Sequence, residues 1–325
     1  MTYTSDQLLE LVNQGLAALP YDRAPEGLYA PVRYVLSLGG KRIRPVLLLM
    51  AYNLYKDHPR EVLLPALGLE TYHNYTLLHD DLMDRAEVRR GKPTVHKVWN
   101  DNTAILSGDS MLVLAYDRVA ACPPEHLPAV MRLFTETALE IGEGQQFDLE
   151  FETRMDVTEA EYIEMIRLKT SVLLACALKM GAILAGAPAA DAEALYTFGE
   201  KIGLAFQLQD DYLDVYGDFE VFGKRIGGDI LCNKKTYMLI NALLRADEAQ
   251  RAELEGWLAD TACEPEAKVK AVTELYNAIG IPALAQERIN RHYAEAAQAL
   301  ERVALPQERK AALWQFAEEL LNRQV

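Results

Sequence analysis

The sequence has 325 residues, half of them hydrophobic, and a formal net charge of −15 at pH 7. This acidity disfavours nucleic acid and anionic membrane as partners, since both are polyanions. No apolar run approaches the roughly 20 residues of a membrane span. The N-terminus lacks the basic start and apolar stretch of a signal peptide. We therefore expect a soluble, cytoplasmic protein without a transmembrane segment, and its four cysteines, none in C-x-x-C spacing, should be reduced thiols.

The hydrophobic pattern is helical almost throughout the chain. Near the N-terminus, Leu8, Leu11, Val12 and Leu16 follow the spacing of one helical face. Alternating runs rich in Val, Ile and Thr, which would indicate strands, are scarce. Glycine and proline clusters separate segments of roughly 15 to 30 residues, and none of them resembles a flexible linker. We predict a single all-α domain over residues 1–325, built as a large helical bundle.

The first polar motif in the chain is basic and spans residues 39–45, Gly-Gly-Lys-Arg-Ile-Arg-Pro. Proline suits the first turn of a helix, and helix N-termini and arginine side chains both bind phosphate. Further basic clusters occur at Arg89-Arg90-Gly91-Lys92, at Lys169-Thr170, at Lys224-Arg225 and at Lys234-Lys235. Each cluster alone is typical of a solvated surface. Together with a metal site, they would suit a diphosphate.

Two acidic motifs share the pattern D-D-x-x-D. They are Asp80-Asp81-Leu82-Met83-Asp84 and Asp210-Asp211-Tyr212-Leu213-Asp214. Both lie in apolar, helix-like surroundings, where positions i and i+4 share a face. Like charges buried side by side are unfavourable unless a cation compensates them. Mg²⁺ takes oxygen ligands and keeps positions for phosphate oxygens, so the pair of motifs predicts a magnesium-diphosphate site. A single motif of this kind would more often be a surface run.

Two polar side chains precede these motifs on nearly the same helical face. Gln207 lies one turn before Asp210, and His73 lies two turns before Asp80. His73 would equally suit a helical core. The sequence contains no Walker loop, no dinucleotide-binding glycine pattern and no Ser-His-Asp arrangement.

In this order the motifs resemble those of the trans-isoprenyl diphosphate synthases, the polyprenyl synthetases. The resemblance extends over residues 37–237 and includes His79, Gly108-Asp109, Gly144-Gln145 and Phe206. It implies an isoprenoid synthase type I fold around a deep central cavity, usually in a homodimer. It also implies a Mg²⁺-dependent prenyltransferase that condenses isopentenyl diphosphate head to tail with dimethylallyl, geranyl or farnesyl diphosphate.

The resemblance also implies roles for individual residues. The diphosphate of isopentenyl diphosphate would be held by Lys41, Arg44, His73 and Arg90. Asp80 and Asp84 would bind two Mg²⁺ ions, and Asp210 a third. The allylic diphosphate would contact Arg89, Lys169, Lys224 and Lys234, with Thr170 and Gln207 in support. The expected catalytic residues are Asp80, Asp81, Asp84, Lys169, Gln207, Asp210, Asp211 and Asp214. One departure is Asn233, because the family usually has glycine before this lysine.

Product length in this family is limited by bulky residues just before the first acidic motif. Tyr75 lies five residues before Asp80, about 7.5 Å along a helix axis. Beside the small Thr76, it resembles short-chain enzymes, whose products are C15–C20. A helical wheel places Tyr75 well off the Asp80 direction, so a core tyrosine is the alternative.

Three other functions stay open at this point. A longer-chain polyprenyl synthase would make quinone side chains. A class I terpene cyclase shares the acidic motifs but has no need of Lys41, Arg44 and Arg90. A non-catalytic subunit of a heteromeric synthase can lose acidic-motif residues, and here all six aspartates are present.

Overall fold

A computed structural model describes residues 3–217 and 226–321. The first helices are α1 (Ser5–Ala17), α2 (Glu26–Ser37), α3 (Ile43–Asn53), α4 (Leu63–Met83), α5 (Val95–Val98), α6 (Asp101–Val119) and α7 (Leu127–Thr153). Next come α8 (Glu159–Ile166), a π turn (Arg167–Ser171), α9 (Val172–Leu184) and α10 (Ala189–Tyr216). The last are α11 (Gly228–Leu231), α12 (Tyr237–Arg245), α13 (Glu248–Ala259), α14 (Pro265–Ile279), α15 (Ile281–Glu301) and α16 (Gln307–Leu321).

Strands are confined, in the described residues, to one short hairpin. Its strands are β1 (Val88–Arg89) and β2 (Lys92–Pro93), paired antiparallel. A short 3₁₀ turn, Pro59–Val62, precedes α4. The predicted all-α fold is confirmed, and the four cysteines are free thiols as expected. No helix of residues 3–217 and 226–321 combines the length and apolarity needed to cross a bilayer.

The chain divides into two compact units. Unit 1 consists of Met1–Glu136, Cys176–Tyr196 and Val303–Leu313. Unit 2 consists of Thr137–Ala175, Thr197–Arg302 and Trp314–Val325. The organisation of residues 1–325 as one domain stays a prediction.

The centre of unit 1 is the packing of α4 against α6. Leu67, Leu69 and Leu78 of α4 are almost fully buried, and each such side chain contributes about 1.5–3 kcal/mol by leaving water. Gly68 permits the close approach, because a Cβ there would lie 2.7 Å from a methyl group of Val119. The packing against α6 positions α4 as a whole, and the last turn of α4 carries the first acidic motif.

The core of unit 2 surrounds the last turns of α10. Leu204, Leu208 and Val215 of that helix are buried with Tyr162 of α8 and Tyr276 of α14. Helix α8 begins at a capping box, in which the side chains of Thr158 and Glu161 accept hydrogen bonds from each other's backbone N–H groups. The second acidic motif therefore lies on a helix with an apolar support on one side.

Candidate active site

The basic motif at 39–45 forms a loop that leads into α3. Gly39, Gly40 and Arg42 all have positive φ, of 76°, 124° and 48°. Arg42 turns inward, and its Nη1 donates to Glu70 Oε1 at 2.7 Å, while Nη2 donates to the carbonyl of Leu36 at 2.6 Å. Arg42 is thus an internal anchor, whereas Lys41 is exposed on the same loop.

Arg44 and His73 meet beside this loop. Arg44 Nη1 lies 3.1 Å from His73 Nε2. Burial, with Arg44 nearby, lowers the pKa of His73 well below its ordinary value, so the imidazole is neutral at pH 7. Burial also lowers the pKa of Arg44 to about 10, which leaves the guanidinium charged. The pair therefore offers one positive charge and a neutral ring to an anion.

Arg89 and Arg90 lie at the turn of the β1–β2 hairpin. Arg90 and Gly91 adopt left-handed conformations, with φ of 52° and 72°. Arg90 Nη1 donates to the carbonyl of Gly39. The positive φ of Gly40 favours glycine, and a Cβ there would lie 2.9 Å from the Arg90 guanidinium and displace it. The hairpin brings Arg90 to the basic loop, and the binding of one diphosphate by both stays a prediction.

The three carboxylates of the first acidic motif have different surroundings. Asp81 is buried and accepts from Arg89 Nε at 2.7 Å, while Asp80 lies 3.4 Å from Arg89 Nη2. Burial raises the pKa of Asp81, and Arg89 opposes that rise. Asp84, the C-cap of α4, is exposed one turn beyond Asp80. Only Asp80 and Asp84 therefore present carboxylates toward solvent or a ligand.

The middle aspartate of the second motif is also buried, but neutral groups hold it. Asp211 accepts hydrogen bonds from the Tyr162 hydroxyl and, at 3.1 Å, from Gln207 Nε2. Gln207 Oε1 in turn accepts from the Thr170 hydroxyl at 3.3 Å. Burial raises the pKa of Asp211 to about 7. The structure thus joins the predicted residues Thr170, Gln207 and Asp211 in one chain of hydrogen bonds.

The π turn, Arg167–Ser171, presents Lys169 and Thr170. Lys169 Nζ lies 2.5 Å from Asp148 Oδ2 on α7. Gly144 faces the backbone of Lys169 so closely that a Cβ would overlap it, and a Cβ on Gly203 would lie 2.6 Å from Ser171 Cα. π turns are often found at functional sites. Two glycines therefore make room for the wider backbone turn that carries the predicted lysine.

The segment after α11 carries Lys234, whose Nζ lies 3.9 Å from Asp229 Oδ1. Asn233 has φ of 55°, a conformation that favours glycine and that asparagine tolerates better than most residues. Its side chain donates to the Leu258 carbonyl at 3.0 Å and accepts from Lys268 Nζ at 2.7 Å. The departure from the family's glycine is thus accommodated. Lys224 lies outside the described residues.

Tyr75 belongs to an aromatic column on α4. Its ring centroid lies 5.5 Å from that of Tyr72 and 4.9 Å from that of His79. The Thr76 hydroxyl donates to the His73 carbonyl at 2.8 Å. Tyr75 is half-buried, and its role in product length stays a prediction.

The sequence pattern missed three side chains that support these residues: Glu70, Asp148 and Tyr162. Glu70 could have been suspected, because it is the only acidic residue in the apolar stretch 63–79. Asp148 lies three residues after Gln145, on the same helical face. Tyr162 carries no local signal, since its partner is 49 residues away.

The donor set suits Mg²⁺ that is also bound to phosphate. Asp80 and Asp84, and likewise Asp210 and Asp214, are oxygen donors one helical turn apart. Among the described side chains, no group of three or more His, Cys, Asp or Glu forms a metal cage on its own. Mg²⁺ in phosphate enzymes typically takes one or two carboxylates and completes its shell with water and substrate oxygens.

Helices that carry aspartate pairs, together with arginine clusters, are typical of the all-α enzymes that act on diphosphates. Residues 25–276 match the profile of the Polyprenyl synthetase family, and the chain belongs to that family. The predicted family, fold class and prenyltransferase class are thereby confirmed. The family is in general magnesium-dependent.

Individual relatives support this placement. The chain is 43% identical over 258 residues to geranylgeranyl diphosphate synthase of Methanosarcina mazei, covering 79% of this chain and 78% of that one. A crystal structure of geranylgeranyl pyrophosphate synthase has a TM-score of 0.94 at 41% identity, covering 99% and 100% of the two chains. The Corynebacterium glutamicum geranylgeranyl pyrophosphate synthase, complexed with isoprenyl diphosphate and magnesium, has a TM-score of 0.87 at 28% identity, covering 99% and 100%.

Proposed function

We propose that the protein condenses isopentenyl diphosphate head to tail with dimethylallyl, geranyl or farnesyl diphosphate. The product is a short-chain trans-prenyl diphosphate of farnesyl or geranylgeranyl length, and diphosphate is released. The observation that carries this proposal is the hairpin at 88–93, because it contacts both the basic loop and the first acidic motif of unit 1. Its Arg90 reaches the basic loop, and its Arg89 reaches the first acidic motif.

The basic cluster fits the substrate that keeps its diphosphate. Lys41, Arg44 and Arg90 supply positive charge, and neutral His73 accepts or donates one hydrogen bond without adding charge. No metal is needed to neutralise an anion held by three cations. A terpene cyclase would have no use for this second anion site, so its presence favours the synthase.

The acidic motifs fit the substrate whose diphosphate leaves. Asp80, Asp84 and Asp210 would hold Mg²⁺, about three ions per site by family resemblance. When bound, Mg²⁺ supplies positive charge to the leaving diphosphate. By family resemblance, Arg89, Lys169 and Lys234 would stabilise the same charge, which is largest in the transition state. We assign Lys224 to this group from the family resemblance alone.

The buried middle aspartates of the two acidic motifs have a different role. Asp81 and Asp211 hold Arg89 and Gln207 in place, so they orient the groups that bind the allylic substrate. Thr170 and Gln207 present oxygens that stabilise a developing allylic cation. As the allylic C–O bond breaks, the double bond of isopentenyl diphosphate forms the new C–C bond. The released diphosphate would then take the proton that the new carbocation loses, since the sequence shows no dedicated protein base.

We also propose that the protein is a homodimer. Helix α6 of unit 1 exposes Ile105, Leu106 and Val113, with 44%, 59% and 69% of each residue accessible. These positions share one helical face, and exposed apolar stripes mark association sites. Val113→Glu should convert the dimer to a monomer in sedimentation equilibrium. A wild-type protein that sediments as a monomer would overturn this assignment.

Product analysis tests the function directly. The purified protein is incubated with Mg²⁺, isopentenyl diphosphate and each allylic primer in turn, and the products are sized by chromatography. We expect short-chain products, and none when EDTA removes the metal. Longer products would favour the quinone side-chain synthase. Inactivity of the isolated chain would favour the non-catalytic subunit, and a cyclic hydrocarbon formed without isopentenyl diphosphate would favour a cyclase.

A further inference from the structure

A carboxylate lies inside the basic cluster of unit 1. Glu70 Oε1 accepts from Arg42 Nη1 at 2.7 Å and from Asn74 Nδ2 at 2.9 Å. Only 2% of the Glu70 side chain and 3% of the Arg42 side chain are exposed. Breaking a buried ion pair is costly, because the remaining partner is a desolvated and uncompensated charge.

The charge of Glu70 also acts on the arginines proposed to bind diphosphate. It opposes the lowering of the pKa that burial causes for Arg44 and Arg90, whereas Arg90 lowers the pKa of Arg44 further. Guanidinium groups gathered in a partly buried cluster repel one another unless an anion is present. Glu70 supplies that anion before any diphosphate is bound.

The ion pair also fixes the backbone of the loop. Gly39, Gly40 and Arg42 have left-handed conformations, so the loop lacks the regular hydrogen bonds of a helix. A left-handed conformation is unfavourable for an arginine and persists only where its surroundings hold it. The bonds from Arg42 to Glu70 and to the Leu36 carbonyl supply that restraint. Lys41 and Arg44 lie on either side of the anchored residue.

One oxygen of this carboxylate remains unused. Glu70 Oε2, Arg42 Nε and Arg44 Nε are buried atoms without a hydrogen-bond partner among the residues that the structure describes. Buried polar atoms are usually paired with protein or water, so these three atoms leave hydrogen-bonding capacity at the basic cluster.

We propose that Glu70 is a positioning residue for isopentenyl diphosphate. Its carboxylate fixes Arg42 and the 39–44 loop, so that Lys41 and Arg44 are in place before the diphosphate arrives. This inference rests on the proposed function. A preorganised site loses less conformational freedom on binding. Because Glu70 acts through Arg42, its loss should affect one substrate and leave the chemical step unchanged.

Glu70→Gln tests this role, since the amide preserves shape and removes charge. We expect isopentenyl diphosphate to bind at least about tenfold more weakly, measured by calorimetry without an allylic substrate. Its KM should rise similarly, while kcat and the allylic KM change less than about threefold. The matched control is Asp191→Asn, another buried carboxylate of unit 1, which accepts from the Tyr55 hydroxyl and the Ala304 N–H. It should lower thermal stability without changing either KM.

A double variant separates positioning from folding. Arg42→Met with Glu70→Leu replaces the ion pair by apolar side chains, a change that often restores stability. We expect a well-folded protein that still binds isopentenyl diphosphate weakly, because the loop has lost its anchor. Wild-type affinity in this variant or in Glu70→Gln would overturn the role of Glu70. Wild-type enzyme that forms no prenyl diphosphate would overturn the proposed function instead, since the calorimetric comparison does not require turnover.

Discussion

The two acidic motifs have the same pattern but different electrostatics. In the first, buried Asp81 is paired with the cation Arg89. In the second, buried Asp211 is held by the neutral side chains of Tyr162 and Gln207. The pKa of Asp211 rises to about 7, because burial outweighs the opposing charge of Lys234 and the two hydrogen bonds, and the charge of Asp229 adds to the rise. Identical sequence motifs therefore do not imply identical protonation of their buried carboxylates.

The largest expected effect tests whether the outer carboxylates act alike despite this difference. Asp80→Asn and Asp210→Asn should each lower kcat by roughly 10²–10³-fold, because each removes a charge that would hold Mg²⁺ at the leaving group. Steady-state kinetics across a range of Mg²⁺ concentrations measure the effect. Asp117→Asn, on the exposed part of α6, is the control and should retain wild-type kcat. A full loss in one variant with none in the other would show that only one motif binds metal.

The pH dependence of stability distinguishes the two buried aspartates. The pKa of Asp211 is about 7 in the folded protein, against an ordinary 3.8. The folded state therefore binds a proton more tightly than the unfolded state, and this contribution to stability is complete below about pH 4 and lost as the pH rises to about 7. The loss is at most about 4 kcal/mol.

Denaturant unfolding in metal-free buffer measures this loss as the difference between wild type and Asp211→Asn. The difference should change with pH between 4 and 7 and be constant above. A constant difference over the whole range would show that Lys234 and the hydrogen-bond donors keep Asp211 ionised.

Removal of the cation should make the first motif resemble the second. Arg89→Leu leaves Asp81 buried without its charge partner. We expect a loss of about 3 kcal/mol in the free energy of unfolding at pH 7, the low end for a buried pair, because 29% of the Arg89 side chain is exposed. Arg85→Leu is the matched control, because Arg85 pairs with Asp101 at an exposed position, and it should change stability by less than about 1 kcal/mol. Equal losses in the two variants would contradict a special role for the buried pair.

The smallest expected effect concerns the positions five residues before each motif. The first has Tyr75 and the second has Ala205. Tyr75→Ala makes the two alike and removes a ring from the aromatic column on α4, so products should lengthen by at least one isoprene unit with little change in kcat. Tyr75→Phe keeps the ring and is the control. Unchanged product length in Tyr75→Ala would leave Tyr75 as a core tyrosine.

Much of the local structure followed from the sequence. The 3.6-residue periodicity predicted the helices, and the glycine and proline at 91–93 predicted a break between them. The hairpin at 88–93 and its contact with the basic loop were not predicted. The sequence also identified Arg44, His73, Thr170 and Gln207, which the structure places in hydrogen-bonded pairs. Helical spacing set Asp80 and Asp84 apart from Asp81, but it did not show that Asp81 would be paired with Arg89.

By itself, the sequence determined the helical class, the family motifs and the residue types available for binding diphosphate and metal, because periodicity and spacing are local properties. Tertiary structure decided which charges are neutralised. Glu70 meets Arg42 across 28 residues and Tyr162 meets Asp211 across 49. Burial determines whether such a charge lowers or raises the stability of the folded state. Burial in turn depends on packing between distant segments.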